Sequence, residues 1–412
     1  MCACPEYRHG VCQFSVTPEI ETAVPPSATV STSVFHCWQC GHWPAQRGAV
    51  QAAQAQDVVR IGHVGPLSGP IAHLGKDNEN GARMAIEELN AKGVTIGGKK
   101  VKFELLAEDD AADPKQGTAA AQKLVDQKVK GVVGHLNSGT SIPASKIYSD
   151  AGIPQISPSS TNPKYTRQGF KTTFRVVADD VQLGGTLGRY AVQKLNAKAI
   201  AVIDDRTAYG QGVADEFEKA AKAAGATIVG REFTTDKATD FTAILTTIKG
   251  KKPDVIFFGG MDAVAGPMIK QMKALGLNAK FMGGDGICTS ELFKLSGDTI
   301  ADNQVVCAEA GGVDGPQEKV LEAFKDKFKK RFNADVQIYA PYVYDAVNLM
   351  VAAMVKANSS DPAKYLPVLA STSGYKGVTG DIGFDEKGDI KNGALTLHSH
   401  KGGNKITLAV VR

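Results

Sequence analysis

The stretch GVVGHLNSGTSIPASKIYSDAGIPQISPSSTNP, residues 131–163, contains two hydroxyl-rich turns, each following an apolar run typical of a β-strand. The first run, around Val133, ends at NSGTS. Pro143 then predicts the start of a helix that continues to about Asp150, because proline suits a first helical turn. The second run, around Ile156, ends at SPSST. This alternation predicts a parallel sheet with both turns at the carboxyl ends of its strands, where open α/β sheets bind ligands.

The side chains of these turns indicate a small polar ligand. They supply neutral donors and acceptors, which are the hydroxyls of Ser138, Thr140, Ser141, Ser159, Ser160 and Thr161. Free N–H groups at a helix start favour a carboxylate or a phosphate. Since no Lys or Arg lies between Lys130 and Lys146, the pattern favours a zwitterion over a polyphosphate. Helix capping is the alternative use of each single hydroxyl, and the presence of two such turns favours a binding site.

Composition is that of an ordinary globular protein with room for two domains, at 412 residues, 43% apolar and 22% charged. The net charge of +4 is spread along the chain, which does not indicate nucleic-acid binding. No G-x-G-x-x-G opens a helix, no P-loop is present, and the eight histidines show no metal-ligand spacing. We therefore expect neither a cofactor nor catalysis.

The first 56 residues differ from the rest, because they contain both tryptophans, five of the seven cysteines and no lysine. Ala53-Gln54-Ala55 has the small-x-small form of a signal cleavage site, although no long apolar run precedes it. One explanation is a start placed too far upstream, or a leader read in the wrong frame. A C-x-x-C with flanking histidines, at His36, Cys37, Cys40 and His42, is conceivable as a zinc site but lacks a second knuckle. We expect residues 1–56 to be a leader outside the folded protein.

From residue 57 strand and helix signals alternate, and after Arg175 the same alternation starts again. This repetition predicts two similar βα domains. Two long helices, expected over 317–332 and 341–357, follow the second set of strands. Their position predicts that the chain crosses back into the first domain.

Asp285 lies in the stretch FMGGDG, between glycines at a predicted strand end. There its carboxylate can face a crevice and pair with an ammonium group. The alternative is an aspartate that only shapes a tight turn. Cys288 and Cys307, the only cysteines after residue 56, allow a disulfide in an oxidising compartment.

Residues 57–412 resemble the periplasmic leucine/isoleucine/valine-binding protein family, the type I solute receptors that feed ABC transporters. The resemblance rests on a set of short motifs spread over this whole length. They are GPLSGP (65–70), NGAR (80–83), DPKQ (113–116), GHL (134–136), PAS (143–145), ISP (156–158) with TNP (161–163), YG (209–210), DF (240–241) and DEKGD (385–389).

The resemblance implies an α/β fold of two Rossmann-like lobes, each a mostly parallel sheet flanked by helices, joined by three crossovers. Lobe 1 is expected over 57–178 plus 310–383, and lobe 2 over 179–309 plus 384–412. It further implies a monomeric receptor in the periplasm that binds a branched-chain or similar aliphatic amino acid. Its partners would be this small molecule and a membrane ABC permease.

Carried over by position, Ser138 and the Thr161 amide would hold the ligand carboxylate. The Thr161 hydroxyl, the Ser159 carbonyl and Asp285 would hold the ammonium, and Tyr209 would close from the second lobe. The predicted ligand-binding set is completed by Leu74, Leu136 and Met261. Leu74 and Met261 stand where the best-known members have aromatic rings, and Ala112 and Asn137 replace a cysteine pair. These departures leave the amino-acid contacts intact and the preferred side chain open.

Three alternatives remain at this point. The first is a receptor for another amino acid or a small amide. The second is an α/β enzyme, against which the missing nucleophile, metal and cofactor motifs argue. The third is a ligand-sensing regulator, although no helix-turn-helix opens the part after residue 56.

Overall fold

The structure, a computed structural model, describes residues 57–412, which form two large β-sheets flanked by helices. The predicted leader, its cleavage motif and the cysteine–histidine cluster lie outside the described residues. Among the helices of residues 57–412, none is both long enough and apolar enough to cross a membrane.

The first sheet has six strands, and all neighbouring pairs are parallel except the short edge pair at one end. The strands are β1 (Asp57–Gly65), β2 (Thr95–Ile96), β3 (Lys99–Asp109), β4 (Gly131–Gly134), β5 (Gln155–Ser157) and β6 (Thr173–Arg175). Their order across the sheet is β2-β3-β1-β4-β5-β6. The hydroxyl-rich turns follow β4 and β5, which are neighbours, so the two turns lie side by side.

The second sheet has seven strands, and a small two-stranded ribbon stands apart from both sheets. In chain order, the nine strands of this sheet and of the ribbon are β7 (Ala199–Asp204), β8 (Thr227–Phe233), β9 (Val255–Gly259), β10 (Lys280–Gly283), β11 (Val305–Glu309), β12 (Tyr375–Gly377), β13 (Gly380–Ile382), β14 (Leu395–Lys401) and β15 (Asn404–Val411). The order is β15-β14-β11-β10-β9-β7-β8, with β14 antiparallel to both of its neighbours, β11 and β15, while β12 and β13 form the ribbon. Together the two sheets confirm the predicted α/β class.

Four of the helices of residues 57–412 begin at a side chain that caps them, such as Asp113, which accepts bonds from two N–H groups of the second helix. The helices of this part of the chain are α1 (Ala72–Lys92), α2 (Pro114–Asp126), α3 (Ser138–Asp150), α4 (Asp180–Gln193), α5 (Ala208–Ala223), α6 (Thr242–Gly250), α7 (Asp262–Ala274), α8 (Leu292–Leu295), α9 (Pro316–Phe332), α10 (Ala340–Lys356) and α11 (Pro362–Ala370).

Helix α3 begins five residues before Pro143, so the predicted helix start was wrong. The Asn137 carbonyl already accepts bonds from the N–H groups of Thr140 and Ser141, at 3.1 and 2.9 Å. A helical turn is therefore formed before the proline, which then lacks only the bond to the Gly139 carbonyl. As a result the hydroxyls of NSGTS belong to the first helical turn and not to a preceding loop.

Helix α4 was missed in the sequence, because three glycines within 14 residues lower its helix propensity. A Cβ atom on Gly184 would lie 2.6 Å from the Val213 carbonyl oxygen, and one on Gly188 would lie 2.6 Å from that of Phe217. The glycines thus allow α4 to approach the backbone of α5 closely.

The chain passes between the two sheets three times, through residues 176–179, 310–315 and 383–394. After β11 it returns to the first sheet, where α10 packs against α1. Helix α9 pairs with α1 as well, with Arg331 and Lys327 each 2.7 Å from a glutamate of α1. The expected lobe boundaries, 57–178 plus 310–383 and 179–309 plus 384–412, stay a prediction.

Candidate functional site

A cavity of ≈ 360 Å³ lies at the carboxyl ends of strands from both sheets. On the first-sheet side it is lined by Ile71, Ala112, Asn137 and Gly139, and on the second-sheet side by Asp205, Tyr209, Met261 and Val264. A larger cavity of ≈ 580 Å³ lies among the three connections, beside Val177, Gly312 and Asn392. We place the candidate site at the smaller cavity, because the first hydroxyl-rich turn contributes Asn137 and Gly139 to its lining.

Most hydroxyls of the two turns bond to the protein itself. Ser159 and Ser160 both donate to the Leu136 carbonyl, at 2.9 and 3.1 Å. Ser141 lies 2.5 Å from the Ser160 hydroxyl, and Thr140 donates to the Asn137 carbonyl. These bonds hold the two turns against each other. Four of the six hydroxyls that the sequence offered to a ligand are therefore already occupied.

Ser138 and Thr161 are the two exceptions. Ser138 Oγ accepts a bond from the Asn162 N–H at 3.2 Å, which leaves its own hydrogen free to be donated. Thr161 Oγ1 is buried and makes no hydrogen bond of normal geometry among the described residues, although it lies near enough to the Asp180 carboxylate to lower the pKa of that group. A buried hydroxyl without a partner costs free energy, so an incoming polar group would be favoured there. These are the two hydroxyls that the resemblance assigns to the ligand.

Asp180, which sequence reasoning missed, lies next to this pair. Its N–H donates to the Thr161 carbonyl at 2.8 Å, and neither of its carboxylate oxygens has a partner among residues 57–412. Burial raises the pKa of Asp180 well above its ordinary value; the nearby Thr161 hydroxyl lowers it, and the Asp285 charge raises it further. The sequence feature that could have identified Asp180 is the pair of consecutive aspartates. Asp179 caps α4, so Asp180 has no capping role.

Asp285 begins a short 3₁₀ turn directly after β10, and its carboxylate is buried. The Tyr209 hydroxyl donates to Oδ1 at 2.7 Å, and the Tyr339 hydroxyl donates to Oδ2 at 2.8 Å. Within residues 57–412 no cationic side chain forms an ion pair with it. Burial raises its pKa to about 6, although the two tyrosine hydroxyls favour the charged form. Asp285 is thus a buried carboxylate that has hydrogen-bond donors but no cationic partner within residues 57–412.

The glycines around Asp285 are needed for close approach. A Cβ atom on Gly286 would lie 2.8 Å from the Met261 sulfur and 2.8 Å from the Tyr209 ring. The Gly286 N–H also donates to the Tyr209 hydroxyl at 2.8 Å. The glycines therefore allow Asp285, Tyr209 and Met261 to pack closely together. The contact with Tyr339, which lies 54 positions further along the chain, could not be predicted from the local sequence.

The apolar members of the predicted set divide into two groups. Met261 lines the cavity beside Tyr209. Leu74 and Leu136 are fully buried in an apolar cluster that also contains Ile71 and Val264. They do not line the cavity, and neither do Ser138, Ser159, Thr161 or Asp285. Six of the eight predicted ligand-binding residues therefore lie in the buried layer around the cavity.

The two sides of the cleft are in direct contact. His73 Nε2 of α1 lies 2.8 Å from Asp262 Oδ2 of α7. The Asn162 side-chain amide donates to the Ala208 carbonyl at 2.6 Å. Burial alone would lower the pKa of His73, but its bond to Asp262 and the carboxylate charge raise it above 6.5.

The structure joins Cys288 and Cys307 in a disulfide, with 5.4 Å between their Cα atoms. This bond ties the turn after Asp285 to β11. Cys288, Glu309 and His398 also offer three potential metal-ligand atoms within 4.8 Å of one another. The Cys288 sulfur is part of the disulfide, however, and Glu309 pairs with Lys405 at 2.6 Å. This group therefore lacks the thiolate that a metal would need.

Comparison with known proteins gives a consistent result. A family profile described as periplasmic binding protein matches residues 58–403. The Leu/Ile/Val-binding protein homolog 1 of Brucella abortus is 38% identical over 340 residues, which are 82% of this chain and 89% of that protein. The leucine-, isoleucine-, valine-, threonine-, and alanine-binding protein of Pseudomonas aeruginosa is 35% identical over 356 residues, 86% of this chain and 93% of that one.

A solved structure is similar over the same length. The branched-chain amino acid transporter substrate binding protein LivJ of Streptococcus pneumoniae, in complex with isoleucine, has a TM-score of 0.76 and 27% identity. The match covers 86% of this chain and 99% of that chain.

Proposed function

Because the chain belongs to the periplasmic binding protein family, we propose that it is an extracytoplasmic receptor for branched-chain or similar aliphatic amino acids, which it delivers to an ABC permease. The observation that carries this proposal is the Asp285 carboxylate, buried and without a cationic partner among residues 57–412. An unpaired buried charge is costly. An α-ammonium group placed between Asp285 and the Thr161 hydroxyl would compensate it.

The other end of the ligand has its own contacts. The free hydroxyl hydrogen of Ser138 and the N–H groups of Ser138 and Gly139 at the start of α3 are donors for a carboxylate, and a helix N-terminus favours an anion. Ile71, Met261 and Val264 line the cavity with apolar surface suited to an aliphatic side chain. The Ser159 carbonyl stays a proposed ammonium contact, and Leu74 and Leu136 act from behind the cavity wall.

Titration calorimetry of the purified chain with leucine, isoleucine, valine, threonine and alanine tests the proposal. Two analogues sharpen it: 4-methylpentanoate lacks the ammonium of leucine, and leucinamide lacks its carboxylate. We expect tight binding of at least one aliphatic amino acid and a loss of tenfold or more for each analogue, since each leaves a buried protein group unpaired. If none of the five amino acids binds, the proposal is wrong.

The receptor role also leads to proposals about the location, the oligomeric state and the chemistry of the protein. We propose a location in the periplasm, a monomeric receptor and no chemical step on the ligand. Leucine recovered unchanged after long incubation with the protein is expected, whereas a product detected by mass spectrometry would favour the α/β enzyme. A receptor for another amino acid is the second candidate, because Met261, an adaptable side chain, forms part of the cavity wall.

A further inference from the structure

Arg175, the last residue of β6, is a fully buried arginine whose three guanidinium nitrogens all donate hydrogen bonds. Its Nε donates to Asp389 Oδ1 at 2.6 Å, and its Nη2 donates to the Thr166 hydroxyl at 2.6 Å. Its Nη1 donates to the carbonyls of Ser160 and Asn162, at 2.8 and 3.1 Å. One side chain therefore joins a carboxylate to a backbone turn.

The carboxylate comes from the DEKGD turn, a motif that takes no part in the candidate site. Residues 385–389 belong to the third connection between the sheets, and the Gly388 carbonyl accepts from the Arg175 N–H at 2.9 Å. Burial opposes ionisation of Asp389, but the Arg175 charge and the Thr166 hydroxyl lower its pKa below the ordinary value. The pair is thus charged, and it fixes the third connection to the end of β6.

The backbone turn is the one that carries Thr161. Arg175 holds the carbonyls of Ser160 and Asn162, which stand on either side of it. Asn162 also donates its N–H to Ser138 and its side-chain amide to the Ala208 carbonyl, next to Tyr209. The position of this turn therefore affects contacts on both sides of the cleft.

We propose that Arg175 and Asp389 are positioning residues for ligand binding, which act from outside the cleft by fixing the turn that holds Thr161. The inference rests on the proposed function, since it takes Thr161 to be a ligand contact. Lysine could keep the charge pair with Asp389, but its single ammonium cannot reproduce the planar set of donors that serves Asp389, Thr166 and two carbonyls together. Arg175→Lys is accordingly the informative change.

The test measures leucine affinity by titration calorimetry, and thermal stability by melting, in a double-mutant cycle. Arg175→Lys is expected to weaken leucine binding about tenfold in the native background. In the Thr161→Val background the same change is expected to weaken it less than twofold, because the contact through which Arg175 acts is already gone. A purely structural arginine would give the same loss in both backgrounds.

Two further variants keep the test decisive. Thr166→Val removes one hydroxyl between Arg175 and Asp389 and serves in the same cycle if Arg175→Lys does not fold. Asp345→Asn is the matched control, because Asp345 is a buried carboxylate that accepts bonds from the Val378 and Thr379 N–H groups. It should lower the melting temperature and leave leucine affinity unchanged.

The outcomes are distinct. Lowered stability with unchanged affinity, or equal affinity losses in both backgrounds, would overturn the inference while leaving the proposed function intact. A native protein that binds none of the five amino acids would overturn both.

Discussion

The two sides of the cleft are built on different chemistry. On the first-sheet side the hydroxyls of Ser159 and Ser160 are bonded within the protein, so two turns form a rigid neutral surface with two open hydroxyls. On the opposite side the buried carboxylate of Asp285 accepts bonds from the hydroxyls of Tyr209 and Tyr339, and a second carboxylate, Asp205, lines the cavity. We propose that the first side sets the geometry of ligand binding and that Asp285 supplies charge. Affinity should therefore be most sensitive at Asp285.

The largest effect is expected from Asp285→Ala. It leaves the ligand ammonium without its counter-charge, and removing one partner of a buried pair costs about 3 to 5 kcal/mol. Leucine binding should weaken by roughly a hundredfold or more, measured by titration calorimetry. Melting curves without ligand serve as the control, since an aspartate that only shapes its turn would lower stability and preserve affinity.

The second-largest effect distinguishes a first-sheet hydroxyl that has no protein partner from one that is bonded within the protein. Thr161→Val removes a hydroxyl with no protein partner in the described chain, so stability should hold while leucine affinity falls about tenfold to a hundredfold. Ser160→Ala instead leaves the Leu136 carbonyl and Ser141 short of a partner. It should lower the free energy of unfolding by about 1 to 3 kcal/mol and change affinity little. If Thr161→Val lowered stability and Ser160→Ala lowered affinity instead, Ser160 would be the ligand contact and Thr161 the structural residue.

The third effect is a dependence on pH that comes from the charged side alone. The pKa of Asp285 is raised to about 6, so its carboxylate is protonated in the free protein below this value and cannot pair with the ammonium. Leucine affinity should fall about tenfold between pH 7 and pH 5 and be nearly constant from pH 7 to 8. Asp285→Asn should bind weakly and with little change over this range.

Ionisation of Asp285 favours leucine binding, but it lowers the stability of the ligand-free protein. Because its folded pKa exceeds the unfolded value of about 3.9, ionising it costs free energy in the ligand-free protein. That cost is absent at about pH 4, grows as pH rises, and is complete above pH 6. Chemical unfolding of the native protein and of Asp285→Asn at pH 5 and 7.5 would reveal it as a larger gain for the variant at pH 7.5.

The smallest effect concerns the contact between His73 and Asp262. The pKa of His73 is raised above 6.5, so its charge supports the closed cleft at low pH and this support is lost as pH rises through the raised value. Asp262, Glu291 and Asp77 are the carboxylates that attract it. His73→Gln should weaken leucine binding two- to fivefold at pH 6 and less at pH 8. An equal ratio at both values would show that the histidine charge is not involved.

Sequence reasoning succeeded where a local pattern decides the structure. Alternating apolar runs predicted the strands, and glycines around Asp285 indicated a carboxylate in a confined place. It could not tell which hydroxyls remain open, because Ser160 and Thr161 look alike until partners from another turn are known. The contact of Tyr339 could not be predicted for the same reason. Helix α4 was not predicted because its glycines disfavour a helix locally, although they allow close packing against α5.

The glycines of α4 have one more consequence. A methyl group at Gly184 or Gly188 would press on a backbone carbonyl of α5, so even alanine would have to push the two helices apart. Asp180 is the first residue of α4, and Tyr209 lies in the first turn of α5. A wider helix spacing would therefore move two groups of the cleft away from each other. The position of Asp180 relative to Tyr209 therefore depends, in part, on the absence of a side chain at Gly184 and Gly188.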